Sequence, residues 1–447
     1  MLPRKDVTPT LARFVATTRW EDIPETVRHE AKRALLNFFA VAIAGCRTAP
    51  IELALKQLAE FSGGKQATIV GRSERIDALS AAFLNAAGAN VFDYCDTHLP
   101  TVVHPTSPLA PAVLALSELH KVTGPELLLA FILGFEIECR VGGAISPGHY
   151  PKGWHITSTC GVFGAAAGAA KLLKLSEAQI VWALGTASTQ SAGLCECLGW
   201  PAKSVSVGNA ARNGLFSALL ADKGFEGPPE PIAGAQGFLA AMGEPPNWAA
   251  LLDGLGKSWE VANNSIKPYP AGFVIHPLLD CALDWRQANP GAVIEKVLAR
   301  GNPLLLQRTD RPEVATGRES QVSLQHAVAA ALVLGKAGLD QFTDACVNDP
   351  KVSAMRRRVF VESAPNISTI AVEMEFTTAD GKVHKVSTEA ARGSAANPLK
   401  DSEIERKLRD EARSWNARHD IQPLIDAVWS LDRSADVSTL AALATPR

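Results

Sequence analysis

Apolar residues recur at three- and four-residue spacing from near the start of the chain to about residue 265, a pattern that predicts one helix after another. "TPTLARFVATT" (8–18), "PETVRHEAKRALLNFFAVAIAG" (24–45), "PIELALKQLAEFS" (50–62), "IDALSAAFLNAAGANVFDY" (76–94), "PLAPAVLALSELHKV" (108–122) and "PELLLAFILGFEIECRVGG" (125–143) each read this way, several with Thr or Pro near the start. "GVFGAAAGAAKLLKL" (161–175) is dominated by Gly and Ala. No strand precedes it and its spacing is not G-x-G-x-x-G, so a nucleotide fingerprint is excluded. Small residues let a neighbouring helix approach closely, which predicts the centre of a bundle.

From about residue 268 the texture changes. "KPYPAG", "ANPGAV", "GNPLLLQ" and "DRPEVATG" set prolines and glycines between short segments, and a different domain begins there. Ile370, Val372, Met374 and Phe376 alternate ahead of Asp380-Gly381 and a second β-prone run, which predicts a hairpin over 367–389. "VIEKVLARG" (293–301) is a further candidate strand. "HPLLDCALDWRQ" and "VSLQHAVAAALVLGKAGL" are helical, so this part is an α+β unit. After residue 398 the chain returns to helices.

A length of 447 residues exceeds one ordinary core and fits two domains. Formal net charge is −2 and no block of Lys or Arg appears, which argues against nucleic acid as a partner. The start, "MLPRKDVTPTLARF", lacks the apolar run of a signal peptide and reads as cytoplasmic. The most apolar stretches, 34–45 and 127–135, are shorter than the roughly 18 residues of a membrane span and read as buried helices. Eight cysteines lie scattered without C-x-x-C spacing, as reduced thiols do; "CEC" at 195–197 is the one close pair.

Candidate chemistry concentrates in "FDYCDTHLPTVVHP" (92–105), which gathers Asp93, Asp96, His98 and His104 in a chain of ten histidines. The spacing of Asp93 and Asp96 places both on one face at the end of a helix, with the histidines on the loop that follows. Metal ligands, a metal-free acid–base set and a structural helix end all fit these residues. "GHYPKGWHITSTCG" adds His149, Tyr150, Lys152 and His155 on a loop. Lys203 stands just before a helix predicted to begin near Ser206, where an ammonium and a helix N-terminus both favour a carboxylate. Lys267 and His276 fall at the suspected domain junction.

Taken together and in order, "FDYCDTHLPTVVHP", "GWH", "K…GNAARNG", "KPYP…H" and "SLQHAVAAAL" resemble the MmgE/PrpD family, over nearly the whole chain. Members of that family include 2-methylcitrate dehydratase, cis-aconitate decarboxylase and iminodisuccinate epimerase. The resemblance implies a mainly α fold: a helical domain over 1–266, a smaller α+β lid over 267–398 and C-terminal helices over 399–447 that return to the helical domain. It also implies a homodimer, a pocket between the domains, and no metal or organic cofactor. The matching positions are Asp93, Thr97, His104, His155, Lys203 and Lys267. His104 follows one more residue than in the decarboxylase spacing. His326 stands where the decarboxylase has tyrosine, and Ser206 where several members have histidine.

The implied chemistry is proton transfer at a carbon beside a carboxylate of a small di- or tricarboxylic acid. Lys203, Lys267 and Thr97 bind the substrate in this reading. His104 is the acid–base group, His155 the second, Asp93 the orienter, and Tyr150 and His326 face the other side. A dehydratase like 2-methylcitrate dehydratase is the first expectation, with an epimerase or a decarboxylase as alternatives. From other classes, a metal-dependent hydrolase would use Asp93, Asp96, His98 and His104 as ligands, and a non-catalytic helical interaction protein would leave the polar motifs idle. No membrane partner is expected.

Overall fold

The computed structural model describes residues 6–242 and 245–446. Its backbone divides into a first unit, made of residues up to Val91, Cys95–Asn264 and the chain from Lys400, and a second, made of Phe92–Tyr94 and Ser265–Leu399.

The first unit is helical. In chain order its longer early helices are α1 (Val7–Thr17), α2 (Glu25–Gly45), α3 (Ala49–Ala59), α4 (Ala78–Asn90), α5 (Thr106–Ser117), α6 (Gly124–Ile145), α7 (Ile156–Leu172), α8 (Glu177–Ser188) and α9 (Ala202–Asp222). Several start where a side chain satisfies the free N–H groups of the first turn. Asp77 accepts from the Ser80 amide at α4, Thr123 and Glu126 cap α6 reciprocally, and Ser176 and Gln179 do the same for α8.

Helix α7 is the centre, as its composition predicts: every residue from Ile156 to Ala170 is buried. It packs against α5, α6, α8 and α9. The small residues are required by that packing. A Cβ on Gly164 would fall 2.9 Å from the Gly134 carbonyl oxygen of α6, and one on Gly214 of α9 would fall 2.6 Å from the Val162 carbonyl oxygen of α7. The C-terminal helix Asp401–Trp415 joins this unit along α2, with Lys407 Nζ donating to Asn37 Oδ1 at 2.8 Å and the Trp415 indole donating to the Ile43 carbonyl at 2.9 Å.

The second unit holds a four-stranded sheet in the order Val359–Ser363, Ile294–Gly301, Val372–Thr378, Val383–Thr388. The first pair is parallel and the other two are antiparallel. The predicted hairpin is present, with Gly381 at φ 78° in its turn. Val372, Met374 and Phe376 point into the core, where Phe376 stacks on Trp285 of the helix His276–Ala288 at 4.7 Å between ring centres. A helix over Leu324–Leu334 completes that core and stops at Gly335, whose φ of 67° is left-handed. The whole is therefore mainly α with a smaller α+β part.

Among the described residues no single helix is long and apolar enough to cross a membrane. All eight cysteines are free thiols, and Cys195 and Cys197, the least buried, share one short 3-10 turn.

Candidate active site

The polar cluster at 92–105 is not a helix end, contrary to its spacing. Helix α4 stops at Asn90, Asp93 takes a left-handed φ of 52°, and Asp96–His98 run extended. The apolar pattern runs on through Val91, Phe92 and Tyr94, which is why the helix looked longer in sequence. The chain then doubles back. The His98 amide donates to the Val103 carbonyl at 2.8 Å, with Val102 at φ 55° in the return.

That return sets His104 opposite Asp96 and Thr97. Its Nδ1 lies 2.7 Å from the Asp96 carbonyl oxygen and 3.0 Å from Thr97 Oγ1. A carbonyl only accepts, so Nδ1 carries the hydrogen. The His104 amide donates to Thr157 Oγ1 in the first turn of α7 at 3.1 Å, two residues from His155.

Asp96 holds the return together from behind. Its carboxylate accepts from the Thr106 hydroxyl at the start of α5 and from Asn264 Nδ2 at 2.9 Å. Full burial pushes its carboxyl above the usual range, while the bonds from Thr106 and Asn264 and the nearby His104 pull the other way.

His155 lies immediately before α7, buried, with its amide donating to the Gly193 carbonyl at 3.0 Å. Its Nδ1 is 2.7 Å from Ser158 Oγ, which is 2.7 Å from Ser206 Oγ. Lys203 is buried in the first turn of α9, which begins at Ala202 and so already includes the lysine, four residues earlier than its sequence suggests. Tyr150 is partly buried against the apolar core of this unit. His149 is a packing residue: it is fully buried, stacks on Trp154 at 10° between ring planes, and bonds Thr159 Oγ1 at 2.8 Å through Nε2. Burial, with Lys152 nearby, pushes its pKa down to about 4.

In the second unit Lys267 is 1% exposed and donates to both the Asp93 carbonyl at 2.8 Å and Asp93 Oδ2 at 2.9 Å. The left-handed backbone of Asp93 turns both acceptors toward one ammonium. Neighbouring bonds fix this pair on each side. Gln321 Nε2 donates to the Phe92 carbonyl at 2.7 Å, Tyr94 Oη to the Pro268 carbonyl at 3.1 Å, and Tyr269 Oη to Asp280 Oδ1 at 2.8 Å. His276 stacks on Phe273 at 4.6 Å, and its Nε2 lies 3.2 Å from the Ala271 carbonyl. His326 is fully buried, with Nε2 2.7 Å from the Gln341 carbonyl oxygen; burial pushes its pKa down.

With this geometry in hand, comparison with known proteins is decisive. Residues 9–251 match the MmgE/PrpD N-terminal domain and residues 269–432 the MmgE/PrpD C-terminal domain. The chain belongs to the MmgE/PrpD family. It is 29% identical to the cis-aconitate decarboxylase-like protein oryM of Aspergillus oryzae, covering 99% of this chain and 98% of that one. It is 26% identical to cis-aconitate decarboxylase of Mus musculus (98% and 93% covered) and 28% identical to that of Aspergillus terreus (98% and 96%).

Within the MmgE/PrpD family frame, the first unit brings Thr97 to His104, links the His104 backbone to the first turn of α7 next to His155, and links His155 through Ser158 and Ser206 to the Lys203 turn. The Lys267–Asp93 pair belongs to the second unit, as does His326. Asp93, expected to orient a histidine, has the Lys267 ammonium as a partner.

The four residues that a metal-dependent hydrolase would use as ligands each have partners within the protein. His98 spends Nδ1 on Thr101 Oγ1 at 2.8 Å and Nε2 on Glu260 Oε2 at 3.0 Å, while Asp96 serves Thr106 and Asn264. Among the described residues no three His, Cys, Asp or Glu side chains converge as metal ligands would. Sequence reasoning missed Ser158 and Thr157 altogether, left Asp96 open between metal ligand, acid–base group and helix end, and met Ser206 only as a helix start and a departure. The run "HITST", four polar residues opening an otherwise apolar helix, was the available signal.

Proposed function

We propose that this member of the MmgE/PrpD family is a lyase that acts on a small di- or tricarboxylic acid by proton transfer at a carbon beside a carboxylate, and that its reaction is decarboxylation of a cis-aconitate-type acid. The similarity to proteins named cis-aconitate decarboxylase, which runs over at least 98% of the chain, carries this reading. The fixed Nδ1 contacts of His104 and His155 support the proton-transfer part of it.

Lys203 and Lys267 take the substrate carboxylates, because fixed cations in a poorly hydrated site neutralise negative charge better than water does. The bond from carbon to one carboxylate breaks, carbon dioxide leaves, and the electron pair spreads through the unsaturated acid onto a remaining carboxylate. A proton then passes from an imidazolium to carbon. His104 delivers it through Nε2, the nitrogen opposite its bond to the Asp96 carbonyl. His155 is the second acid–base group, with Thr97 and Tyr150 lining the reaction. The scheme uses no metal and no organic cofactor.

Dehydration or epimerisation is the second reading, favoured by His326 in place of the tyrosine of the decarboxylase pattern. The test is proton NMR in deuterated water on a panel of di- and tricarboxylic acids that includes cis-aconitate. The expected result is a product one carbon shorter that carries one deuterium. New alkene signals from a hydroxy acid would instead favour a dehydratase, and label uptake without net conversion an epimerase. An absence of exchange across the panel would overturn the lyase reading.

A further inference from the structure

We propose that Ser158 and Ser206 are positioning residues for His155: two hydroxyls in series, anchored on the Lys203 carbonyl, that hold the imidazole with its hydrogen on Nδ1. The importance of the relay to catalysis rests on the reading of His155 as an acid–base group.

The direction of the relay follows from counting hydrogens. The far end is a carbonyl oxygen, which can only accept, 2.8 Å from Ser206 Oγ. Ser206 spends its single hydrogen there. The 2.7 Å contact between the two serine oxygens must then use the hydrogen of Ser158. Ser158 has none left, so its 2.7 Å contact with the imidazole requires a hydrogen on Nδ1 of His155. A neutral ring with that hydrogen has its lone pair on Nε2.

The surroundings protect this order. Ser158 is 1% exposed, so its hydroxyl has little access to water. Gly193, at φ 141°, roofs the relay: a Cβ there would fall 2.7 Å from Ser158 Cβ and 3.3 Å from Ser206 Cβ. The same glycine's carbonyl accepts from the His155 amide, so one residue fixes both the main chain and the relay. Ser206 stands where the resemblance places histidine in several family members.

The experiment combines nitrogen-15 NMR of histidine-labelled full-length protein with kinetics on whichever acid of the panel is turned over, the His155 signals being assigned from their loss in His155→Gln. In the wild type, Nδ1 is expected to show the protonated and Nε2 the unprotonated shift. Ser206→Ala frees the Ser158 hydroxyl to donate to Nδ1, and the Nε2-protonated form should grow. Turnover should fall on the order of tenfold with KM within about twofold, because the wrong tautomer impairs proton transfer more than binding. Ser206→Thr keeps the hydroxyl and should restore both. Should Ser206→Ala not fold, Ser158→Ala, which removes the acceptor itself, must shift the Nδ1 resonance. A wild-type nitrogen spectrum in either alanine variant, or wild-type turnover in Ser206→Ala, overturns the relay. The tautomer is read without substrate, so a shifted spectrum in a protein that turns over no acid would overturn the lyase reading and leave the relay standing.

Discussion

As the proposed acid–base group, His104 gains from having its tautomer fixed. The Asp96 carbonyl does this, and the Thr97 hydroxyl beside it completes the cradle. Positioned acid–base groups contribute about 10²–10⁴-fold, so His104→Ala should lose at least roughly a hundredfold in turnover with its circular dichroism spectrum unchanged. Near-full turnover in the folded variant would remove His104 from the mechanism. The cluster around it was legible because a density of Asp and His within fourteen residues is visible without coordinates. Its bonds were not. Asp93 meets Lys267 across a separation of 174 residues, Asp96 meets Asn264 across 168, and Ser158 meets Ser206 across 48. Each looks locally like an ordinary loop or helix-start residue, and only long-range packing distinguishes it.

Helix α7 shows what composition says about an element. Its run of Gly and Ala was readable as a close-packed centre, and neighbouring helices confirm it through atoms rather than statistics. At Gly214 of α9 a Cβ would sit 2.5 Å from Ala165 Cβ and 2.6 Å from the Val162 carbonyl oxygen. Backbone cannot move aside as a side chain can. Alanine in a helix is worth about 1 kcal/mol over glycine, and overpacking costs about 1–3 kcal/mol or more. The clash with main chain decides the sign, so Gly214→Ala should lower the urea midpoint. Gly63→Ala is the control, since nothing lies within 4 Å of its would-be Cβ, and it should stay within about 0.5 kcal/mol of the parent. An equal effect at both sites would mean that α7 and α9 are not in this contact. The elements that escaped sequence reading are those without a long period. Val359–Ser363 is five residues long and pairs in parallel with Ile294–Gly301, a partner that no hairpin turn announces.

For the molecule as a whole, helix α6 carries a liability that should appear in the pH dependence of stability. Glu138 is fully buried, and among the described residues neither of its carboxylate oxygens has a hydrogen-bond partner. Burial, reinforced by the Asp96 carboxylate, holds its pKa well above the ordinary 4.5. The folded chain therefore keeps a proton that the unfolded chain gives up, and stability falls as pH rises above 4.5 by up to about 1.4 kcal/mol per pH unit. Glu136 and His149 are among the other groups that act over the same range. Glu136, pushed up to about 7 by burial against the opposing pull of Arg140, adds a loss with the same sign that is complete above about 7. His149 works in the opposite sense: its pKa is lowered from 6.5 to about 4, so its contribution is present above 6.5 and is lost as pH falls toward 4. Glu138→Gln keeps the shape of the side chain and removes the titration. Its urea midpoint should exceed that of the wild type by a margin that widens as pH rises above 4.5. A margin that stays constant over that range would mean that Glu138 does not hold its proton in the folded chain.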